Sequence, residues 1–151
     1  MYRICKHFEI QAAHVLSKHP GPCRYPHGHT YRVEVTLAAD ALDENDMVCD
    51  FQAVKLAVSD YLDQLDHAFL LNSADAATCR TQQDNPRKMV FQNCDPSTEV
   101  LAREIFRHVK DSLRRAAVEN SNGIRFPLNP RAHLEKVRVW ETSNAWAEYQ
   151  E

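Results

Sequence analysis

CRYPHGHTYRVEV, residues 23–35, brings a thiol and two imidazoles to the entrance of an alternating run. Tyr31, Val33, Val35 and Leu37 alternate with Arg32, Glu34 and Thr36. A period of two is that of a strand with one buried face. His27 and His29 stand two apart, so on extended backbone their side chains share a face and can converge on one point. Gly28 between them carries no side chain and permits close backbone approach.

Working outward, residues 2–10 read as another strand, with Phe8 and Ile10 on one side and His7 and Glu9 on the other. Asp50 is placed to cap a helix over about 51–65, whose Val54, Val58, Tyr61, Leu62 and Leu65 form an apolar stripe. Residues 72–96 lack helical periodicity and predict a long loop, an insertion at about 72–93. A second helix is expected from near Asp95, with Pro96 in its first position and Ala102, Phe106, Val109 and Leu113 on its buried face. SNGIRFPLNP breaks the chain, and the end reads as a hairpin: HLEKVRVWE, a turn at TSN, then AWAEY. The order β–β–α–α–β–β predicts an α+β domain, an antiparallel four-stranded sheet with two helices on one face. Open edges on so small a sheet favour self-association.

The chain of 151 residues suffices for one domain, 1–151, with a real core. A formal charge of −3 argues against general nucleic-acid binding, and no apolar run approaches the roughly 20 residues that cross a bilayer. MYRICKHFEI has no export signal, so a cytoplasmic location is expected. The cysteines Cys5, Cys23, Cys49, Cys79 and Cys94 are odd in number and form no CxxC pair, which fits free thiols.

Three neutral imidazoles would hold Zn²⁺ with a fourth position open, the arrangement of a catalytic site. His14, in QAAHVL, is a candidate third histidine, although spacing alone does not separate it from His7 or His19. Cys23 fits three roles from its position: a fourth ligand, a nucleophile or base beside the metal, or a small half-buried residue. Asp66 beside His67 can orient an imidazolium for acid–base work, or simply end the first helix with favourable charge. Glu141, as a carboxylate, can accept from two adjacent N–H donors of a guanidine-like ring edge.

In order along the chain stand FEIQAAHVL, CRYPHGHTYRVEV, CDFQAVK, LDHAFLLN, DPSTEVLA and VWET. Together they resemble the 6-pyruvoyl-tetrahydropterin synthase and 6-carboxy-tetrahydropterin synthase (QueD) family, over residues 5–71 and 94–149. The resemblance implies zinc on His14, His27 and His29, a catalytic Cys23, and an acid–base pair at Asp66 and His67. It implies that Glu141 anchors the pterin ring, with Thr98 and Glu99 lining the pterin pocket. It further implies a tunnelling fold whose subunits join sheets into a barrel and stack two trimers into a hexamer, with active sites between subunits.

The substrate implied is 7,8-dihydroneopterin triphosphate. Two products are known in the family: 6-carboxy-5,6,7,8-tetrahydropterin, with acetaldehyde and triphosphate released, and 6-pyruvoyl-tetrahydropterin with triphosphate. The interval of three residues between Cys23 and His27 resembles the bacterial carboxy enzymes and favours that product, a queuosine precursor. Lys18, Arg24 and Arg125 are candidates by charge for the triphosphate. The rival expectations are a metal- or pterin-binding module without catalysis, which would not require Cys23, and a related cyclohydrolase acting on GTP.

Overall fold

In a computed structural model describing residues 1–151, β1 (Tyr2–His14) and β2 (His27–Ala39) pair antiparallel over their whole length, from Tyr2 opposite Ala39 to His14 opposite His27. Both strands run further than the alternation marks. β1 extends four residues beyond Ile10, and β2 begins two residues before His29, so all three candidate ligands lie at one end of a single ladder.

The buried face of this ladder carries Ile10, Ala12 and His14 from β1 and Tyr31, Val33, Val35 and Leu37 from β2. Helix α1 (Phe51–Leu65) starts where the sequence predicts, with the Asp50 side chain accepting from the Gln52 N–H at 2.6 Å. Its Val54, Val58, Leu62 and Leu65 join the core, while Tyr61 packs at the margin. The later long helix, α3 (Thr98–Ser112), is capped by Ser97, so Asp95 and Pro96 precede the helix instead of beginning it. The Asp95 carboxylate is engaged by Ser17, Lys18 and Asn72, while the Ser97 side chain accepts from Val100 N–H, so the helix starts past the proline. Leu101, Ala102, Ile105, Phe106 and Val109 bury its apolar stripe against the sheet and α1. Truncating Leu101 to alanine inside this core would cost about 2–5 kcal/mol.

The expected four-stranded antiparallel sheet is corrected to six strands, in the order β4 (Lys88–Phe91), β3 (Ala68–Asn72), β1, β2, β7 (His133–Thr142) and β8 (Ala145–Tyr149). β7 (His133–Thr142) and β8 (Ala145–Tyr149) form the predicted hairpin, turning at residues 143–144. β3 (Ala68–Asn72) adds parallel to the end of β1, and β4 (Lys88–Phe91) adds parallel to β3, making the sheet mixed. The expected loop at 72–93 therefore contains a strand, together with the short helix α2 (Ala76–Thr81). Neither strand alternates apolar and polar residues in sequence: β3 is an apolar run buried on both faces, and β4, KMVF, is a four-residue edge inside a polar stretch. A separate two-stranded ribbon, β5 (Ala117–Glu119) with β6 (Arg125–Pro127), occupies the SNGIRFP region. No helix is long and apolar enough to cross a membrane.

Candidate metal centre and its flanking clefts

His14, His27 and His29 gather at the open end of the β1–β2 ladder, their ring centroids 4.4–5.2 Å apart. Ladder register does this: His14 lies directly opposite His27, and His29 opposite Ala12, all on the buried face. Gly28 faces Ala13 across the ladder, and a Cβ there would stand 3.3 Å from the Ala12 carbonyl oxygen.

The hydrogen bonds define which nitrogens point inward. His14 Nδ1 lies 2.9 Å from the Pro96 carbonyl oxygen, and His27 Nδ1 lies 2.7 Å from that of Tyr25. A carbonyl can only accept, so each Nδ1 carries the proton and each Nε2 presents a lone pair. Those two Nε2 atoms face one another at 2.9 Å. His29 Nε2 is buried without any hydrogen-bond partner. Burial lowers the His14 pKa despite the Pro96 carbonyl, which raises it, and the neighbouring His27 and His29 lower it further. Burial likewise lowers His29, against the raising effect of Glu141 and with a smaller lowering from His27.

Neutral rings with lone pairs turned inward repel one another unless a cation lies between them. Three imidazole nitrogens are a donor set that suits Zn²⁺, and carbonyls on the outer nitrogens are the usual way of orienting such ligands. The group fits a metal ion.

Around it the structure reports on each expected residue. Glu141, near the end of β7, places one carboxylate oxygen 3.7 Å from His29 Nε2. Its other oxygen accepts a short hydrogen bond from the buried Thr98 hydroxyl at the start of α3. Cys23, in a three-residue 3₁₀ turn (Pro22–Arg24), is half-buried and lines a cleft of about 290 Å³ with Thr98, Glu99, Glu141 and His19. Asp66 and His67 pair at 3.0 Å beyond α1, and His67 lines a different depression, about 450 Å³, shared with His29 and Gly28. There His67 takes a left-handed φ of 56° and its N–H donates to the Gln11 carbonyl at 2.6 Å, while Gln11 N–H donates to Asp66 at 2.8 Å. The Gln11 N–H holds the Asp66 carboxyl below its ordinary value, outweighing burial, with His67 adding to the effect.

Within one chain, then, Cys23 and the Asp66–His67 pair flank the histidine cluster from separate sides. Several contributors escaped the sequence reading. Tyr31, two residues beyond His29 on the same face, sets its hydroxyl 3.3 Å from His14 Nδ1; the strand period alone could have flagged it. His19, which spacing alone did not separate from His14 as a ligand, lines the Cys23 cleft instead. The carbonyls of Pro96 and Tyr25 left no sequence signal, because backbone oxygens are chosen by tertiary approach. A second grouping of Cys5, His7 and Glu34 lies on the face of the sheet away from the helices. Its carboxylate is already taken by Trp140 Nε1 at 2.8 Å and by Arg32 at 3.2 Å, whose charge opposes a cation there.

The model of the 6-pyruvoyl tetrahydropterin synthase family matches residues 3–151. The chain belongs to this family. A relative in Haemophilus influenzae, 6-carboxy-5,6,7,8-tetrahydropterin synthase, is 29% identical, with 100% of both chains covered. The enzyme of the same name from Aquifex aeolicus is 31% identical over 85% of this chain and 76% of that one. Among solved structures, 6-pyruvoyl tetrahydropterin synthase of Caenorhabditis elegans superposes with a TM-score of 0.64 at 20% identity, covering 99% of this chain and 95% of the other. The α+β tunnelling fold of this family is the fold of the chain, with the six-stranded sheet described above.

Proposed function

We propose that this protein is a zinc-dependent lyase. It would convert 7,8-dihydroneopterin triphosphate to 6-carboxy-5,6,7,8-tetrahydropterin, releasing acetaldehyde and triphosphate. The observation that carries the reading is the inward-facing lone pairs of His14 and His27 beside the unpartnered His29 Nε2. The relatives named for the carboxy product, and the short interval from Cys23 to His27, support that product over the pyruvoyl one.

Zn²⁺ bound by the three imidazoles would act as a Lewis acid toward the hydroxyl and carbonyl oxygens of the substrate side chain. Glu141 accepts from the amino and ring N–H groups of the pterin. The Thr98 hydroxyl keeps its carboxylate turned toward the cleft, so the ring is fixed before chemistry begins. Glu99 lines the same cleft. Cys23, as thiolate, removes a side-chain proton, and His67, oriented by Asp66, returns protons from the opposite side. Family resemblance implies that the complete site is assembled between subunits of a hexamer of two trimers, and the placement of Cys23 and His67 in separate depressions of one chain accords with this. The same reading places the enzyme in the cytoplasm, with a small-molecule substrate and no nucleic-acid partner.

The test is mass-spectrometric product analysis on zinc-loaded protein given 7,8-dihydroneopterin triphosphate. The carboxy product with acetaldehyde supports the reading. A pyruvoyl product would move the protein to the biopterin-type branch, and formate from GTP would replace the reading with a cyclohydrolase. Zinc binding without turnover of either compound would leave a metal-binding module.

A further inference from the structure

The segment between β1 and β2 carries Cys23, yet its only regular structure is the three-residue turn Pro22–Arg24. Most of its hydrogen bonds run within it: Leu16 N–H to the Cys23 carbonyl at 3.0 Å, His19 N–H to the Leu16 carbonyl at 2.9 Å, and Gly21 N–H to His19 Nδ1 at 2.9 Å. A loop tied mainly to itself can move as a body unless something outside holds it. Beside Cys23 the Tyr25 carbonyl meets His27 Nδ1 of β2, and across the segment, on the Ser17–Lys18 side, the outside tie is Asp95. Its carboxylate accepts from the Ser17 hydroxyl at 2.6 Å and from the Lys18 N–H at 2.8 Å.

Asp95 is itself held from below. Asn72, buried at the end of β3, donates to it at 2.9 Å. The next residue, Pro96, supplies the carbonyl that orients His14. One dipeptide before α3 thus touches the metal-binding cluster with its backbone and the cysteine segment with its side chain.

We propose that Asp95 is a positioning residue that sets Cys23 against the substrate cleft, through Ser17 and Lys18 to the adjoining Leu16–Cys23 hydrogen bond. The function inferred for Cys23 rests on the proposed lyase reading; the placement of Cys23 does not. The carboxylate is needed because its two oxygens accept from three donors at once, which neither alanine nor asparagine reproduces. His14 keeps its Pro96 partner in any side-chain variant at 95, so metal binding and cysteine placement come apart.

The experiment compares wild type with Asp95→Ala by site-resolved alkylation with iodoacetamide, hydrogen exchange at the Leu16 amide, zinc content and kinetics. Cys23 alkylation and Leu16 exchange are expected to rise roughly tenfold, the scale of one lost hydrogen bond in a local opening. Cys49 should be unaffected and zinc content unchanged. For kcat a fall of roughly 100-fold is expected, the scale for a reacting group displaced by about 1 Å, with KM within threefold of wild type. Unchanged Cys23 alkylation and Leu16 exchange would overturn the proposal, whatever happens to kcat. If every amide exchanges faster because the variant is unfolding, Ser17→Ala decides. It removes one donor only, and should give the same local pattern at smaller size; no local change in it would also overturn the proposal. Local loosening in a protein whose wild type turns over no pterin would uphold the placement and defeat the lyase reading instead.

Discussion

His14 and His27 stand opposite one another across the β1–β2 ladder with their Nε2 atoms 2.9 Å apart, each ring locked by a backbone carbonyl at its other nitrogen. Two inward lone pairs at that distance form a site arranged for a cation.

Metal binding should therefore be visible as stability. Zinc at a free concentration of 100 times its Kd should stabilise the wild type by about 2.7 kcal/mol. For a domain of this size that corresponds to a rise in Tm of roughly 5–11 °C. His27→Ala should bind no stoichiometric zinc and show no shift. A full shift in that variant, measured by thermal unfolding with and without chelator, would remove His27 from the ligand set.

Cys23 should separate chemistry from metal binding. Cys23→Ala is expected to keep one zinc per chain and to lose turnover by roughly 10²–10⁴-fold, the range for a positioned acid–base group. Parallel metal analysis and steady-state kinetics check both halves. Retained turnover would assign the proton transfer elsewhere.

Glu141 and Thr98 should act on binding. A hydrogen bond to a charged group contributes about 1.5–3 kcal/mol, so Glu141→Ala should weaken pterin affinity roughly 10- to 150-fold. Thr98→Val, which frees the carboxylate without removing it, should give a smaller loss in the same direction. Equilibrium titration with a non-reacting pterin reads this directly.

The pH dependence follows from two carboxylates. Burial pushes Asp95 up, but hydrogen bonds from Ser17, Lys18 and Asn72 outweigh it and leave its pKa below the ordinary 3.8. Asp66 is held below the same value chiefly by the Gln11 N–H. Each is lower folded than unfolded, so its contribution is complete above 3.8 and disappears as pH falls further, through the folded value. The Tm difference between wild type and Asp95→Asn should be constant above about pH 5 and close below about pH 4. A difference that grew on acidification would contradict this sign.

Turnover should depend on assembly. Cys23 and His67 open into different depressions of one chain, and β4 and β8 leave unpaired edges at either side of the sheet. Specific activity is expected to fall on dilution in step with dissociation measured by light scattering. Full activity in a monomer would show that one chain completes the site.

Strand alternation around Val33, helix periodicity around Val54 and Phe106, and the two-residue spacing of His27 and His29 were all legible in the sequence. Each is a local pattern with a period set by backbone geometry, and each appears where expected. The ladder register that brings His14 opposite His27 was not legible, since pairing between distant segments leaves no local period. Nor were β3 and β4, whose short runs owe their strand conformation to the edges of β1 and β3 respectively. The carbonyls of Pro96 and Tyr25 that turn two rings inward, and the Asp95 carboxylate that ties down the Cys23 segment, likewise exist only once the chain has closed on itself. The sequence by itself determined which side chains could do chemistry and the face each would take. The tertiary structure decided which of them meet, because hydrogen bonds between remote segments are satisfied only after the core has buried them.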